Sequence, residues 1–280
     1  MLKIIREHAE ALLAEPGVTA VLGLRAGWDG AAPWFFVAAG ELDLLVTEPK
    51  WPLAKIAWRA ARELAEGESL GLVGRGCDLR ALAELEKAGQ LRPGAIRPVP
   101  VTCSAEQAAS CLCPTPWPPG GEGAPGADFL ADAATASLLL DADRADRWRE
   151  HFARCIKCYG CRNACPICTC PECKLEEDGY VAQGRIPPEP LAFHLIRAMH
   201  LADRCVGCGA CQEACPAGLP LLALHQWLRQ SLRQGFAYQS GSAAASPVFA
   251  AAREEGVLGA PEPAWEDTRP GGGTGAAHGR

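Results

Sequence analysis

The sequence predicts an α+β fold: an N-terminal α/β unit, a mostly helical second half and a disordered tail. Three observations predict it. Over the first hundred or so residues, helical periodicity alternates with short β-prone runs. At Pro114–Gly126 the chain reads PTPWPPGGEGAPG, which can sustain neither a helix nor a central strand. Beyond it, helical segments alternate with dense cysteine clusters, and residues 241–280 are rich in Gly, Pro and Ala. With 280 residues, 49% of them apolar, the chain can bury a sizeable core.

The elements follow in order. An amphipathic helix spans Leu2 to Ala14 and stops at EPG, which supplies a proline and a turn glycine. VTAVLGL, WFFVAAG and LDLLVTE read as strands. A helix from about Pro52 to Leu64 leads to the apolar run SLGLVG, then to a helix in RGCDLRALAELEKAGQ. There Leu79, Leu82 and Leu85 recur every three residues, and Gly89 is placed to close it. AIRPVPVTC reads as a last strand, weakened by its prolines. Helices then follow at about Asp141–Arg154, Pro190–Asp203 and Leu219–Gln234, the third with Pro220 in its first turn and Gly235 just past its end. The expected organisation is an α/β domain over 1–113, a linker over 114–127, a second domain over 128–240 and a tail over 241–280.

Charge and composition narrow the function. A net charge of −6 argues against a nucleic-acid binder working by phosphate neutralisation and gives no attraction to an anionic membrane. No apolar run approaches the roughly 18 residues a membrane span needs. The charged N-terminal helix does not read as a signal peptide, so a cytoplasmic location is expected. In that reducing compartment, fifteen cysteines point to metal rather than disulfides.

Two cysteine runs carry the chemistry. Cys155-x2-Cys158-x2-Cys161-x3-Cys165-Pro166 aligns without gaps on Cys205-x2-Cys208-x2-Cys211-x3-Cys215-Pro216. This is the bacterial ferredoxin spacing for [4Fe–4S] clusters, in which the fourth cysteine of each run ligates the other cluster. The pattern assigns Cys155, Cys158, Cys161 and Cys215 to a cluster A, and Cys205, Cys208, Cys211 and Cys165 to a cluster B. Such a two-cluster domain moves single electrons. Paired zinc sites are the rival reading, but zinc has no use for a third regularly spaced cysteine or for a Cys-Pro at the same offset twice. Lys157, Arg162 and Arg154 surround the first run, and cations favour the more negative reduced state. A higher midpoint potential is therefore expected for cluster A.

Seven cysteines remain: Cys77, Cys103, Cys111, Cys113, Cys168, Cys170 and Cys173. Four of them could hold a third [4Fe–4S] cluster, with the ligand set left open. Cys77 sits at a strand-to-helix junction, where free amides and the helix dipole favour a thiolate. Isolated cysteines are also often small buried hydrophobes. His194, His200 and His225 fall on helices with apolar faces and read as packing residues. GLVGRG is neither a dinucleotide fingerprint nor a phosphate loop and reads as a tight turn, with a flavin phosphate at the helix N-terminus the alternative. There is no nucleophile elbow, HExxH, CxxCH or kinase signature.

GLVGRGCDLRALAELEKAGQ, VPVTC, CLCPTPWP, CIKCYGCRNACPICTCPECK, FHLIRAMHLADRCVGCGACQEACPAGLPL and GFAYQSG together resemble a known family. It is the β-subunit-like proteins of coenzyme F420 hydrogenase and dehydrogenase, in particular the formate dehydrogenase β-like branch found with heterodisulfide-reductase-type complexes in anaerobes. The resemblance runs from about Gly71 to Gly241. It implies a non-catalytic electron-transfer subunit, whose partners would be formate dehydrogenase, hydrogenase or heterodisulfide-reductase-like subunits. Some members bind FAD and reduce F420, so the alternative is an FAD-containing β subunit exchanging electrons with a soluble carrier such as F420 or ferredoxin. This chain departs from the family in its CLC pair, tighter than CxxC, and in lacking a recognisable flavin-binding segment. A zinc-stapled interaction module with no redox role is the third reading.

Overall fold

The computed structural model of the protein describes residues 1–123, 126–128, 130–177, 179, 181–188 and 192–247. Its N-terminal part is a sheet with strand order β2-β1-β4-β5, made of β1 (Val18–Gly27), β2 (Gly30–Phe36), β4 (Ser69–Arg75) and β5 (Ile96–Val101). A short β3 (Leu45–Val46) also pairs with β1. The strands β1, β4 and β5 run parallel, while β2 and β3 run antiparallel to β1. Parallel neighbours need long crossovers. Helix α2 (Ala54–Ala61) lies on the connection from β3 to β4, and α3 (Gly76–Lys87) on that from β4 to β5.

Period-2 alternation divides the sheet between two cores. Val21, Val73, Val99 and Val101 pack with Ile5, Ala9 and Leu12 of α1 (Leu2–Leu13). Ala20, Leu22, Leu24, Leu70 and Leu72 face α2 and α3. That second core also takes in Ile167, Leu201 and Val206, with Cys165, Cys168, Cys205 and Cys208 packed against it. The cysteine-rich half therefore rests on one face of the sheet. The edge strand β5 keeps Pro98 and Pro100 outward and buries Ile96, Val99 and Val101, which is how it tolerates two prolines.

Two of the expected strands are displaced. The second strand begins at Gly30 and ends at Phe36, after a two-residue turn through Trp28 and Asp29. Of LDLLVTE only Leu45 and Val46 form a strand; Leu42, Asp43 and Leu44 belong to a 3-10 turn (Ala39–Leu44). Local hydrogen bonds override the β-propensity there. The Val37 amide donates to the Glu41 carboxylate at 3.0 Å, and the Arg6 guanidinium donates to the Asp43 and Leu45 carbonyls at 2.7 and 2.9 Å.

Beyond β5, α4 (Ala105–Ser110), still in the first unit, and α5 (Ala133–Leu140) add to the expected helices. Their signals were local. Ser104 and Gln107 form a reciprocal capping box, and Asp132 accepts from the Thr135 amide at 2.8 Å. Further along come α6 (Arg144–Ala153), α7 (Gly160–Asn163), α8 (Ala192–Leu201), α9 (Ala210–Glu213) and α10 (Leu221–Phe236). Helix α10 runs through Gly235 and closes at Ala237 in a left-handed conformation, so the glycine is not its terminator. The Pro/Gly-rich stretch lies back on the first unit: Arg80 and the Cys103 amide donate to the carbonyls of Trp117 and Pro116 at 3.2 and 3.0 Å.

Residues 241–246, which composition assigns to the tail, are held in place. The buried Glu84 carboxylate on α3 accepts from the Gly241 amide at 2.5 Å and from the Tyr238 hydroxyl at 3.3 Å, and pairs with Lys87 at 2.6 Å. Ser246 donates to Asp203 at 2.5 Å. The rest of the expected tail, 248–280, lies outside the described residues.

One carboxylate ties these elements together. Buried Asp78 accepts from the amides of Leu53 (2.8 Å), Ala54 (2.9 Å) and Arg75 (3.0 Å). It caps α2 from a distance and fixes the turn from β4 into α3. Asp78→Ala would leave three buried amides unpaired. It should lower unfolding free energy by about 3–5 kcal/mol in a denaturant titration, where a loss below about 1 kcal/mol would contradict the capping role.

Candidate metal centre

The two cysteine runs fold the same way. Each follows a helix: the Cys155 amide donates to the Phe152 carbonyl at the end of α6, and the Cys205 amide to the Leu201 carbonyl at the end of α8. Lys157 and Tyr159 in the first run, and Gly207 and Gly209 at the same places in the second, all have positive φ. Those left-handed steps turn amides toward sulfur. The Lys157 and Gly160 amides donate to the Cys155 and Cys158 thiols at 3.4 and 3.5 Å. The Gly207 and Ala210 amides do the same for Cys205 and Cys208. One turn of helix follows, α7 or α9, and then the fourth cysteine, whose amide bonds to Arg162 or Gln212.

One cavity is lined by Cys165, Cys205, Cys208 and Cys211, together with Ile167, Val206 and Leu222. Burial raises the Cys205, Cys208 and Cys211 thiols above their ordinary range, and the charge of Cys165 pushes each further. Cys215 keeps company with the first run. Burial raises Cys155 and Cys161, and Cys215 and Cys158 add to both shifts. Cys158 is the exposed thiol of that group. Among the described residues, no three Cys, His, Asp or Glu side chains converge as ligands of a single ion do. Thiols around a cubane stand farther apart, each on its own iron.

Buried cations surround these thiols. Arg197 on α8 is 4% exposed and donates to the Cys161 carbonyl at 2.7 Å, with the Cys168 thiol at 3.9 Å. Burial opposes its charge, but Cys165, Cys161, Cys168 and Cys211 more than offset it, so its pKa rises. Arg229 on α10 sits against Gly207 and donates to Gln226 at 2.5 Å. Neither arginine pairs with a carboxylate among the described residues, and each keeps a buried Nε without a partner. A buried guanidinium without an anion is costly. Anionic groups at the thiols would fit this site.

Sequence reasoning named neither arginine. The signal was a cation on the apolar face of each helix. The cations it did name are engaged: Lys157 donates to the Ala182 carbonyl at 2.8 Å, and Arg162 pairs with Glu176 at 2.6 Å. His194 stacks on Phe152 at 4.2 Å, its pKa lowered to about 4 by burial and then by Arg197. His225 is lowered to about 3, by burial and then by Arg197 and Arg229. Both are neutral packing groups, while His200 is exposed.

The remaining cysteines form two sets. Cys77, Cys103, Cys111 and Cys113 line one cavity. Cys168, Cys170 and Cys173 line another, open and about 350 Å³, with Lys55, Arg59 and Arg62. Cys165 and Cys168 share a hydrogen bond that lowers the first thiol and raises the second. Cys77 does not follow its expected acidity. Burial, then the neighbouring Asp78 and Cys208, lift its thiol well above the ordinary range. The helix N-terminus beside it is closed by the Trp117 carbonyl, into which a Cβ on Gly76 would run.

Residues 197–217, spanning Arg197 and the second cysteine run, match the 4Fe-4S binding domain family. The chain carries a 4Fe–4S domain. Over 96 residues it is 43% identical to the F420-dependent formate dehydrogenase subunit beta of Methanocaldococcus jannaschii, a match covering 34% of this chain and 25% of that protein. It is 39% identical over 96 residues to the F420-dependent formate dehydrogenase 1 subunit beta of Methanococcus maripaludis, covering 34% of this chain and 24% of that one. The family resemblance read from the motifs holds. The matched segment spans about a quarter of the length of these curated relatives. No helix among the described residues is long and apolar enough to cross a membrane.

The paired loops allow a sharp test of backbone against packing. Lys157 shows that a side chain is tolerated at the left-handed position of the first loop. At Gly207 a Cβ would collide with the Arg229 guanidinium. Gly207→Ala should therefore destabilise the protein by about 1–3 kcal/mol. Adding Arg229→Ala should recover part of that loss, and strict additivity in the double-mutant cycle would contradict the collision.

Proposed function

We propose that the chain is an iron–sulfur electron-transfer subunit holding two [4Fe–4S] clusters with exchanged fourth ligands. Cys155, Cys158, Cys161 and Cys215 would hold one; Cys205, Cys208, Cys211 and Cys165 would hold the other. The observation that carries this reading is the single cavity lined by Cys165 with the three cysteines of the other run. Bound there, such clusters supply one-electron storage at low potential.

The protein's part is to set the surroundings. Backbone amides in both loops donate to the ligating sulfurs, which stabilises added electron density. Ile167, Val206 and Leu222 line the second group's cavity with apolar surface, while Cys158 brings the first group to the surface. One end of the pair is thus insulated and the other open to a partner. Following the relatives' names, that partner would belong to a formate dehydrogenase; the motif resemblance adds hydrogenase and heterodisulfide-reductase-like subunits as partners, in the cytoplasm. A second reading, a flavin-bearing subunit that exchanges electrons with F420 or ferredoxin, draws support from the cationic cavity of Lys55, Arg59 and Arg62 with Trp58. Phosphate-bearing cofactors suit such a lining.

Anaerobic purification with iron, sulfide and flavin quantified per chain separates these readings, and zinc in place of iron would end both. The exchange of ligands has its own test. Cys165→Ser should perturb the EPR signal of the cluster bound by Cys205, Cys208 and Cys211, and Cys215→Ser the other. The opposite pattern would show that each run serves its own cluster. Arg197→Gln removes a buried cation placed among thiols of both groups. It should lower both midpoint potentials by on the order of 50 mV in a redox titration, and unchanged midpoints would place its charge elsewhere.

A further inference from the structure

Four cysteines that belong to neither ferredoxin run meet in one place. Cys77 comes from the first turn of α3, Cys103 from the end of β5, and Cys111 and Cys113 from the turn after α4. They are drawn from three separate elements of the α/β unit, yet all line a single cavity. Leu112, between the last two, has a φ of 47°, a conformation that leucine rarely adopts. Its carbonyl is held by the Gln226 amide at 2.7 Å, and the Cys113 amide donates to the Ala108 carbonyl at 2.9 Å. The strained step is therefore fixed from both sides, with a thiol on each.

The cavity matches the one assigned to cluster B. Each encloses about 20 Å³; four cysteines line the first, and Cys77, Cys103, Cys111 and Cys113 together with Cys208 line the second. Gly207 and Cys208 line both, so one loop forms the wall between them. Lys50, Arg75 and Arg80 also line the new cavity. Arg75 and Arg80 are 5% and 3% exposed, and each has a buried Nε with no partner. Lys50 reaches from the β3–α2 connection to the Cys208 carbonyl and to Glu213, both at 2.8 Å. A buried space with four thiols and three cations is suited to an anionic sulfur-rich group. Lys50 pairs with Glu213 at 2.8 Å and Arg75 with Glu48 at 3.8 Å, while buried Arg80 has no carboxylate partner among the described residues, a charge that four small apolar fillers would not call for.

We infer that Cys77, Cys103, Cys111 and Cys113 hold a third [4Fe–4S] cluster, separated from cluster B by the Gly207–Cys208 loop. This rests on the two-cluster reading above and extends it into the α/β unit. Arg75, Arg80 and Lys50 act as its positioning cations. The set Cys168, Cys170 and Cys173 stays outside it, facing the open cationic cavity.

The full chain, purified anaerobically and reconstituted with iron and sulfide, provides the test. Wild type should hold about twelve irons and twelve sulfides, three four-iron units. Cys103→Ser/Cys113→Ser should hold about eight. The variant should keep the EPR signals of the two ferredoxin-run clusters, while cluster B loses the spin-coupling broadening that a reduced neighbour imparts. Cys168→Ser/Cys170→Ser/Cys173→Ser should retain about twelve. Should the double variant not fold, native mass spectrometry of the intact wild-type chain decides by counting clusters. About eight irons in wild type, or an unchanged count in the double variant, would overturn the third site and leave the two-cluster reading intact. Absence of iron altogether would strike the two-cluster reading first.

Discussion

Positive charge buried beside sulfur is the constraint on which the rest of the structure depends. Arg80, Arg197 and Arg229 are at most 6% exposed, and none pairs with a carboxylate among the described residues. Guanidinium groups do not shed their charge, so their counter-ions must come from the cysteine side chains or from what those bind. This links metal loading to stability in a specific way. Emptying the sites would remove ligand bonds and would also leave several cations in a low-dielectric interior.

The sheet is the platform that makes such crowding possible. One face packs on α1 and on Leu42 of the 3-10 turn, with ordinary apolar contacts. The other carries α2 and α3 and, beyond them, the loop of the second cysteine run. Lys50 binds the two halves from this face by gripping the Cys208 loop, while the Asp78 carboxylate fixes the turn that presents Cys77. The first run sits farther out, its core shared with α5, α6 and α10. Depth in the molecule thus differs between the two runs although their local folding is the same.

Much of this was legible in the sequence because it was local. Cysteine spacing gave the paired loops, since a repeated motif implies repeated geometry. Helices α1 and α3 followed from apolar periodicity, and α10 from the proline at its start. What the sequence hid depended on distance. Arg197 and Arg229 went unnamed until the fold turned them inward, and the grouping of Cys77 with Cys103, Cys111 and Cys113 required the order of the strands. The displaced β3 had a different cause: Arg6 and Glu41 captured backbone groups that a strand would have used. Side-chain capture of backbone has no periodic signature.

The clasp over Glu84 separates what binds from what holds. Every cysteine lies at or before position 215, and α10 ends at Phe236. The residues that close over the first unit, Tyr238 and Gly241, come later still. A fragment stopped at Phe236 would keep the whole donor inventory and lose its latch, leaving an interior carboxylate with Lys87 as its remaining companion. The shortest piece able to take up iron and the shortest piece able to keep its shape are therefore different lengths of chain.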